Sequence, residues 1–381
     1  MQLFVDYSFF LWLAALSVPA FILGVMEKPL RHYGFAVSLL FLWFALGANH
    51  RALAFLVLFI AMEYGGAECY RRLRQSRGRV AWQYYLFLCL SILPLCLQKF
   101  GTEHLFAFLG ISYMTFKSAQ MIIQIYDGQI REVKLFEYIY MMIFFPVITS
   151  GPIDRSERFR RDAERVIPRG EYLELAGRGL FKILLGYLYK DAVAAGFYQL
   201  MRWFGMGLDL KGALIYMYSY GFYLFFDFAG YSLMAVGASY LFGIRTPDNF
   251  RAPFLSVDIK DFWDRWHITL SHWFRDFIFS RISMDIMKTR KIKSRLAIGC
   301  IAFMINMGIM GLWHGTAPYY IAYGLYHGLL LSLTEVYQKK SKFYKKHKKD
   351  RWFRLIEWAV TFQLVMFGFF LFSGRITAFL K

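Results

Sequence analysis

From Leu296 to Thr334 this chain contains no aspartate, glutamate, lysine or arginine. At about 1.5 Å of rise per helical residue, such a run crosses roughly 30 Å of hydrocarbon twice. The turn between the crossings falls at Gly315-Thr316-Ala317-Pro318, where proline cannot continue the preceding helix. Similar runs surround it. Tyr7 to Met26 and Tyr33 to Asn49 are uncharged, Ala52 to Ala67 carries only Glu63, Val80 to Gln98 is uncharged with Pro94 as a kink, and Trp358 to Gly374 is the last. Hydrophobic residues make up 58% of the chain and aromatic ones 20%, against roughly 45–50% apolar content in soluble domains. These runs predict an all-α polytopic membrane protein with roughly ten to twelve spans. They form a single membrane domain over residues 1–381, with no separate soluble domain.

The net charge of +19 invites a nucleic-acid reading, which the placement of the cations excludes. They collect in links between apolar runs, where Lys and Arg set orientation and meet the lipid bilayer. Arg71, Arg72, Arg74, Arg77 and Arg79 follow three crossings, which puts this cluster on the cytoplasmic side and the N-terminus outside. Lys288, Arg290, Lys291, Lys293 and Arg295 form a second cluster. The run Lys339 to Arg351 falls on the same side as the second, given two crossings between them. The link from Asp154 to Arg169 mixes six arginines with four acids, so its charge leaves its side open. Cys69, Cys89, Cys96 and Cys300 show no CxxC or His-paired spacing, which supports neither zinc nor a disulfide framework. The first apolar run lacks a basic flank and a small-residue cleavage site, so it reads as a retained helix.

Several stretches are less regular. His104 to Tyr126 carries Lys117, Gln120 and Gln124, which turns that helix toward protein or a water-filled cavity, or makes it re-entrant. Tyr138 to Ile153 contains Phe145-Pro146 and Ser150-Gly151-Pro152, which break helical hydrogen bonding at depth. Leu173 to Met201 is helical but interrupted by Lys182, Lys190 and Asp191. Residues 211–227 and 228–244 read as two spans with Asp227 at their junction, either a buried carboxylate or an interfacial residue at a helix end. Asp258 to Phe279 is too charged to span. Its aromatics at 262, 263, 266, 273, 274 and 277 recur at three- and four-residue steps, which predicts a helix lying in the interface or lining a cavity.

A titratable group in hydrocarbon is costly, so its default reading is functional. His314 follows Trp313 inside the longest apolar run. A neutral imidazole there is a competent base; the alternative is a histidine bridging two helices by hydrogen bonds. Gly311 and Gly315 around it admit either another backbone or a slim ligand. Asn306 precedes it by about two helical turns on nearly the same face, where it orients the base or polarises a carbonyl. His267 is a candidate for lining a passage, with Trp263, Trp266, Ser271, Trp313 and Asp227 as further lining candidates. His272 reads as interfacial and His327 as packing. The five-residue spacing of His267 and His272 is not that of a helical metal pair, and no acid completes a set, so no metal is expected. Without a Gly-x-Ser-x-Gly elbow or a Walker loop, the chain offers bases but no protein nucleophile. That pattern favours transfer of an activated acyl group to a hydroxyl between two external partners.

Trp266-His267 with Arg275-Asp276 downstream, followed by Gly311-Leu312-Trp313-His314-Gly315, resembles the signature of the membrane-bound O-acyltransferase (MBOAT) family. Phe108-Leu109-Gly110-Ile111-Ser112-Tyr113-Met114-Thr115-Phe116-Lys117, Ile125-Tyr126-Asp127-Gly128 and Ser150-Gly151-Pro152-Ile153-Asp154-Arg155-Ser156 resemble its D-alanine-handling branch in Gram-positive bacteria. That branch leads one to expect Glu where Gln124 stands, a departure that touches polar packing more than chemistry. The resemblance covers nearly the whole chain.

It implies a ring of transmembrane helices, with re-entrant or interfacial helices, around a central funnel and tunnel in the plasma membrane. It implies His314 as general base, with His267 as the second histidine of the site. The implied donor is D-alanine held as a thioester on the phosphopantetheine arm of a DltC-like carrier protein, the chain itself binding no cofactor. The implied acceptor is lipoteichoic or wall teichoic acid, reached directly or through a DltD-like extracellular-facing membrane protein and a small DltX-like membrane peptide. Acyl carriers are generally acidic, so Ile282, Met284 and Met287, beside Lys288, Arg290, Lys291, Lys293 and Arg295, are the expected carrier dock. The alternative is that these cations only fix topology and bind lipid. Two rival functions stand beside this one: a polysaccharide O-acetyltransferase of the same family, and a passive conduit for the thioester with the chemistry done by a partner.

Overall fold

The computed structural model describes residues 1–101 and 108–379, with helices and loops and no strand among them. Among the described residues six helices are long and apolar enough to cross a membrane, so the chain is a multi-pass membrane protein. It divides into two compact units, Met1–Tyr187 with Gly230–Pro247, and Leu188–Ala229 with Asp248–Lys381.

The first unit begins with α1 (Tyr7–Val25), α2 (Arg31–Leu46), α3 (His50–Arg77) and α4 (Ala81–Phe100). α1 buries only Phe9, Leu13, Ala20 and Gly24, leaving Leu11, Trp12, Val18, Phe21 and Ile22 exposed. Such a surface is a liability in water and is solvated by lipid tails. Asn49 starts α3 by accepting the Ala52 amide at 3.0 Å on its side chain. At the other end of α3, Arg74 donates to the carbonyl of Tyr126 (3.2 Å) and Arg71 to that of Arg131 (3.4 Å). These bonds fasten the end of α5 (Ile111–Tyr126) to the arginine cluster. The start of the expected 104–126 segment lies outside the described residues.

α6 (Leu135–Ile143) has only 9 residues, too few to span. A 3₁₀ turn at Phe145–Val147 follows, and the chain returns to α7 (Ser156–Glu164). Both ends of this excursion lie together: Lys134 Nζ is 3.7 Å from Glu164, and the Ser156 hydroxyl donates to Gln124 at 3.3 Å. The stretch therefore enters and leaves on the face of the Arg71–Arg79 cluster, which decides the side of the Asp154–Arg169 link. Buried Lys117 donates to the carbonyl of Met141 at 2.8 Å, satisfying one of the open carbonyls of α6's last turn. At Gly110 φ is +87°, and an added Cβ would lie 2.1 Å from the Ile148 carbonyl oxygen, so only glycine fits.

α8 (Arg169–Tyr187) runs into a π-helical stretch, Leu188–Ala194, and α9 (Ala195–Phe204). α10 (Leu210–Leu241) is one continuous 32-residue helix. This corrects the expectation of two spans with Asp227 at their junction. Glycines on this helix and on α8 are contact points: a Cβ on Gly237 would sit 2.4 Å from the Gly179 carbonyl oxygen, and one on Gly186 would sit 2.5 Å from that of Gly230. α8 and the Gly230–Leu241 part of α10 touch through their backbones, as small residues allow in membranes.

The second unit contains α11 (Ile259–Trp263), α12 (Ile268–Phe274), a π-helical turn at Arg275–Phe279, α13 (Ser280–Thr289), α14 (Arg295–His314), α15 (Pro318–Lys340), α16 (Lys342–His347) and α17 (Arg351–Phe372). The uncharged run folds as the antiparallel pair α14–α15, turning at Gly315 to Ala317 as expected. Gly311 and Gly324 set its closeness, because a Cβ on Gly324 would meet the Met307 carbonyl oxygen at 2.3 Å. Gly324→Ala overpacks this contact at a cost of about 1–3 kcal/mol. It is expected to lower the melting temperature of the purified protein. Gly299→Ala, where nothing lies within 4 Å, is the control; equal melting of the two variants would contradict the backbone contact.

Candidate active site

Two short helices of the second unit carry the first histidine. Asp258 starts α11, its carboxylate accepting the amides of Lys260 and Asp261 at 2.8 and 2.9 Å. It also accepts the Gln338 side-chain amide at 2.9 Å, which ties this turn to α15. Lys260 adds an ion pair with Glu335. At His267 the backbone enters the left-handed region, with φ 44° and ψ 52°, which a side-chain-bearing residue adopts only where its surroundings hold it. Asn249 is the holder. Its carbonyl accepts the Ile268 amide at 2.9 Å, and its Oδ1 accepts the Thr269 hydroxyl at 2.6 Å.

This turn corrects the expectation of a single helix from Asp258 to Phe279: the left-handed residue divides it, and a π turn follows α12. The aromatic spacing came from burial on several sides rather than from one stripe. Trp266 packs against Phe369 at 4.7 Å, Phe250 at 5.1 Å and Phe262 at 5.6 Å between ring centroids. His267 is 3% exposed, 4.8 Å from the Phe228 ring. Neither of its ring nitrogens has a partner among the described residues. Burial holds its imidazole in the neutral form.

His314 is the last residue of α14, half-buried among Trp313 (4.7 Å), Phe372 (5.0 Å), Tyr323 (6.2 Å) and Tyr320 (6.3 Å). It lies near enough to act on His267 through space. The structure thus brings together the two histidines that the sequence singled out. His327 is fully buried among Phe262, Trp263, Tyr323 and Tyr326.

A cleft of about 230 Å³ is lined by Trp263, Ser271, His272, Arg275, Asn306 and Met310, among others. Asn306 is buried there, and its Oδ1 has no partner among the described residues. Asn306 and His314 share α14 but are separated by about 12 Å of helical rise, and His314 does not line this cleft. Trp263 and Ser271 are cleft walls, Trp266 lies in the aromatic packing, and Trp313 lies beside His314. Asp227 is ion-paired with Lys190.

α13 begins at the cleft's rim, where Phe279 stacks on Phe303 at 4.6 Å. None of its residues is buried. Ile282 is half-buried, Met284 and Met287 are exposed, and Lys288 pairs with Asp285 at 2.8 Å. Arg290, Lys291, Lys293 and Arg295 continue the exposed cationic surface toward α14. Two partners were not singled out as site candidates from the sequence: Asn249, which holds the His267 turn, and Lys190, which pairs with Asp227. Their roles depend on partners 20 and 37 positions away, which no local spacing announces.

A family model for MBOAT, the membrane-bound O-acyltransferase family, matches residues 35–373. The chain belongs to this family. This membrane-bound O-acyltransferase is 38% identical to the teichoic acid D-alanyltransferase of Bacillus subtilis, over 97% of both chains. It is 39% identical to the protein of that name from Streptococcus thermophilus, over 96% of this chain and 93% of the other. It is 30% identical to the probable alginate O-acetylase AlgI of Pseudomonas syringae pv. tomato, over 73% of this chain and 51% of that protein.

Asn249→Ala removes the hydrogen bond that Thr269 donates to Asn249 Oδ1, at about 0.5–1.5 kcal/mol. Its expected outcome is a lower melting temperature and a fall in acyl transfer, as the His267 turn loosens. Full activity in a stably folded Asn249→Ala protein would show that the turn needs no such support.

Proposed function

We propose that this acyltransferase moves D-alanine from the phosphopantetheine thioester of a DltC-like carrier protein, across the membrane, to lipoteichoic or wall teichoic acid, with His314 as general base. The observation that carries the reading is the match to teichoic acid D-alanyltransferases along nearly the whole of both chains. In this reading the chain sits in a Gram-positive plasma membrane with its N-terminus outside, and DltD-like and DltX-like partners help to deliver D-alanine to the acceptor.

The chemistry follows from the residues. A carrier seated on Met284, Met287 and the cations after them is beside the cleft at Phe279 and Arg275. A slim arm entering there runs toward Asn306, whose unpartnered oxygen can accept an amide N–H. His314 removes the proton of the acceptor hydroxyl, and the oxygen attacks the thioester carbonyl carbon. As the new C–O bond holds, the C–S bond breaks, and the proton passes from the imidazolium to the departing thiolate. His267, buried and neutral, hydrogen-bonds the substrate, and the apolar walls keep out water that would hydrolyse the thioester.

The test uses vesicles holding the protein and its partners, with labelled D-alanyl carrier on the cytoplasmic side and teichoic acid acceptor opposite. His314→Ala is expected to lower transfer by about 10²–10⁴-fold while carrier binding persists. Equal transfer by both forms would replace the catalytic reading with the conduit. Replacing Lys288, Arg290, Lys291 and Lys293 together by Ser is expected to weaken carrier binding and to flatten its salt dependence. Unchanged affinity would remove α13 as the dock.

A further inference from the structure

We propose that Met310 is a movable gate between the cleft and His314, pushed aside by the thioester arm as it enters; this rests on the D-alanyl thioester reading above. Asn306, Met310 and His314 follow one another at four-residue steps, on one face of α14. The first two line the cleft, and no later residue of α14 does. The cleft therefore stops short of the base by one helical turn, about 6 Å of rise, and Met310 stands at that turn. It is 2% exposed, so the way from the cleft to His314 is shut while its side chain stays in place.

Only the side chain can open this passage. Before Met310, the Met307 carbonyl oxygen lies 2.3 Å from where a Cβ on Gly324 would be; after it, a Cβ on Gly311 would sit 2.6 Å from the Tyr320 carbonyl oxygen. With backbone against backbone on both sides of Met310, α14 has no slack there. Met307, the other methionine at this end of the cleft, is tied as well, because Asn306 Nδ2 donates to its Sδ at 3.8 Å. No such tie holds Met310 among the described residues. An unbranched side chain with three rotatable bonds changes shape readily, whereas one branched at Cβ is stiff. The chemistry calls for closure. Lys260, Asp264 and Arg275 belong to the same lining, and their charges bring water to the cleft's mouth. Beyond Met310 the imidazole is enclosed by Trp313, Tyr320, Tyr323 and Phe372. Water reaching His314 ahead of the acceptor would be activated by the same base and would hydrolyse the thioester. A gate that opens only around the arm admits the acyl group and holds water back.

The experiment uses the vesicle assay with D-alanyl carrier and counts two products, D-alanine on the acceptor and D-alanine released free. Met310→Ile keeps a comparable volume but is stiff at χ1; it is expected to lower the transfer rate about 10-fold with carrier affinity unchanged. Met310→Leu, of similar volume and without the branch at Cβ, is expected to recover most of that rate. Met310→Ala leaves the passage open and is expected to raise the ratio of free to transferred D-alanine several-fold. Transfer reduced equally by Ile and Leu, or unreduced by Ile, overturns the gate, and this pair decides the matter even where Ala destabilises the helix pair. A stably folded Ala variant with the wild-type ratio of products overturns it too. A wild type that transfers no D-alanine from the carrier overturns the D-alanyl reading and the proposal with it, whereas a transferring wild type with indifferent Met310 variants overturns the proposal alone.

Discussion

Hydrocarbon offers no hydrogen bonds, so every backbone polar group within it is satisfied by the protein itself. That constraint makes the long segments helical, and it makes each departure from helix depend on a named partner. The excursion from α6 to α7 is possible because Lys117 closes an open carbonyl of α6 and Gly110 lets the Ile148 carbonyl approach. The break between α11 and α12 is possible because Asn249 takes up one backbone amide and one hydroxyl beside it. Remove the partner and the irregular backbone has no reason to persist.

The same logic explains why the histidines differ. His267 sits on strained backbone in a buried turn, held from behind, with no partner for its ring nitrogens among the described residues. His314 ends a regular helix, where the extended Gly315 lets the chain reverse and aromatic rings enclose the imidazole on several sides. The strained, fixed residue packs on Phe228, and the unstrained one at a helix end packs on Phe372.

Close packing of α14 on α15 has a functional side too. Gly311 and Gly324 bring the two backbones together along α14, the helix that ends in His314. α13 is its opposite: it lies open on the surface with methionines and cations outward. Methionine is adaptable in shape and cations act at a distance, a combination suited to reversible docking. The cleft joins the two regimes at Phe279 and Phe303.

Composition and run length alone determined that this is a helical membrane protein, because nothing else explains uncharged stretches of that length. Motif spacing singled out His267 and His314 before any contact was known. The apolar and cationic residues of 282–295 read from the sequence as a dock for an acidic carrier, or as cations that only fix topology and bind lipid. Three matters were beyond it: that Asp227 lies inside one long helix and pairs with Lys190, that Asp154–Arg169 shares a face with the arginine cluster, and that the aromatic stretch around Trp266 breaks at His267. Each turns on a contact between residues far apart in the chain. A glycine reads alike whether it bends a helix or seats another against it, and a buried asparagine shows its purpose only when its partners are beside it. Local sequence decides which segments leave water; tertiary structure decides which polar groups then find one another.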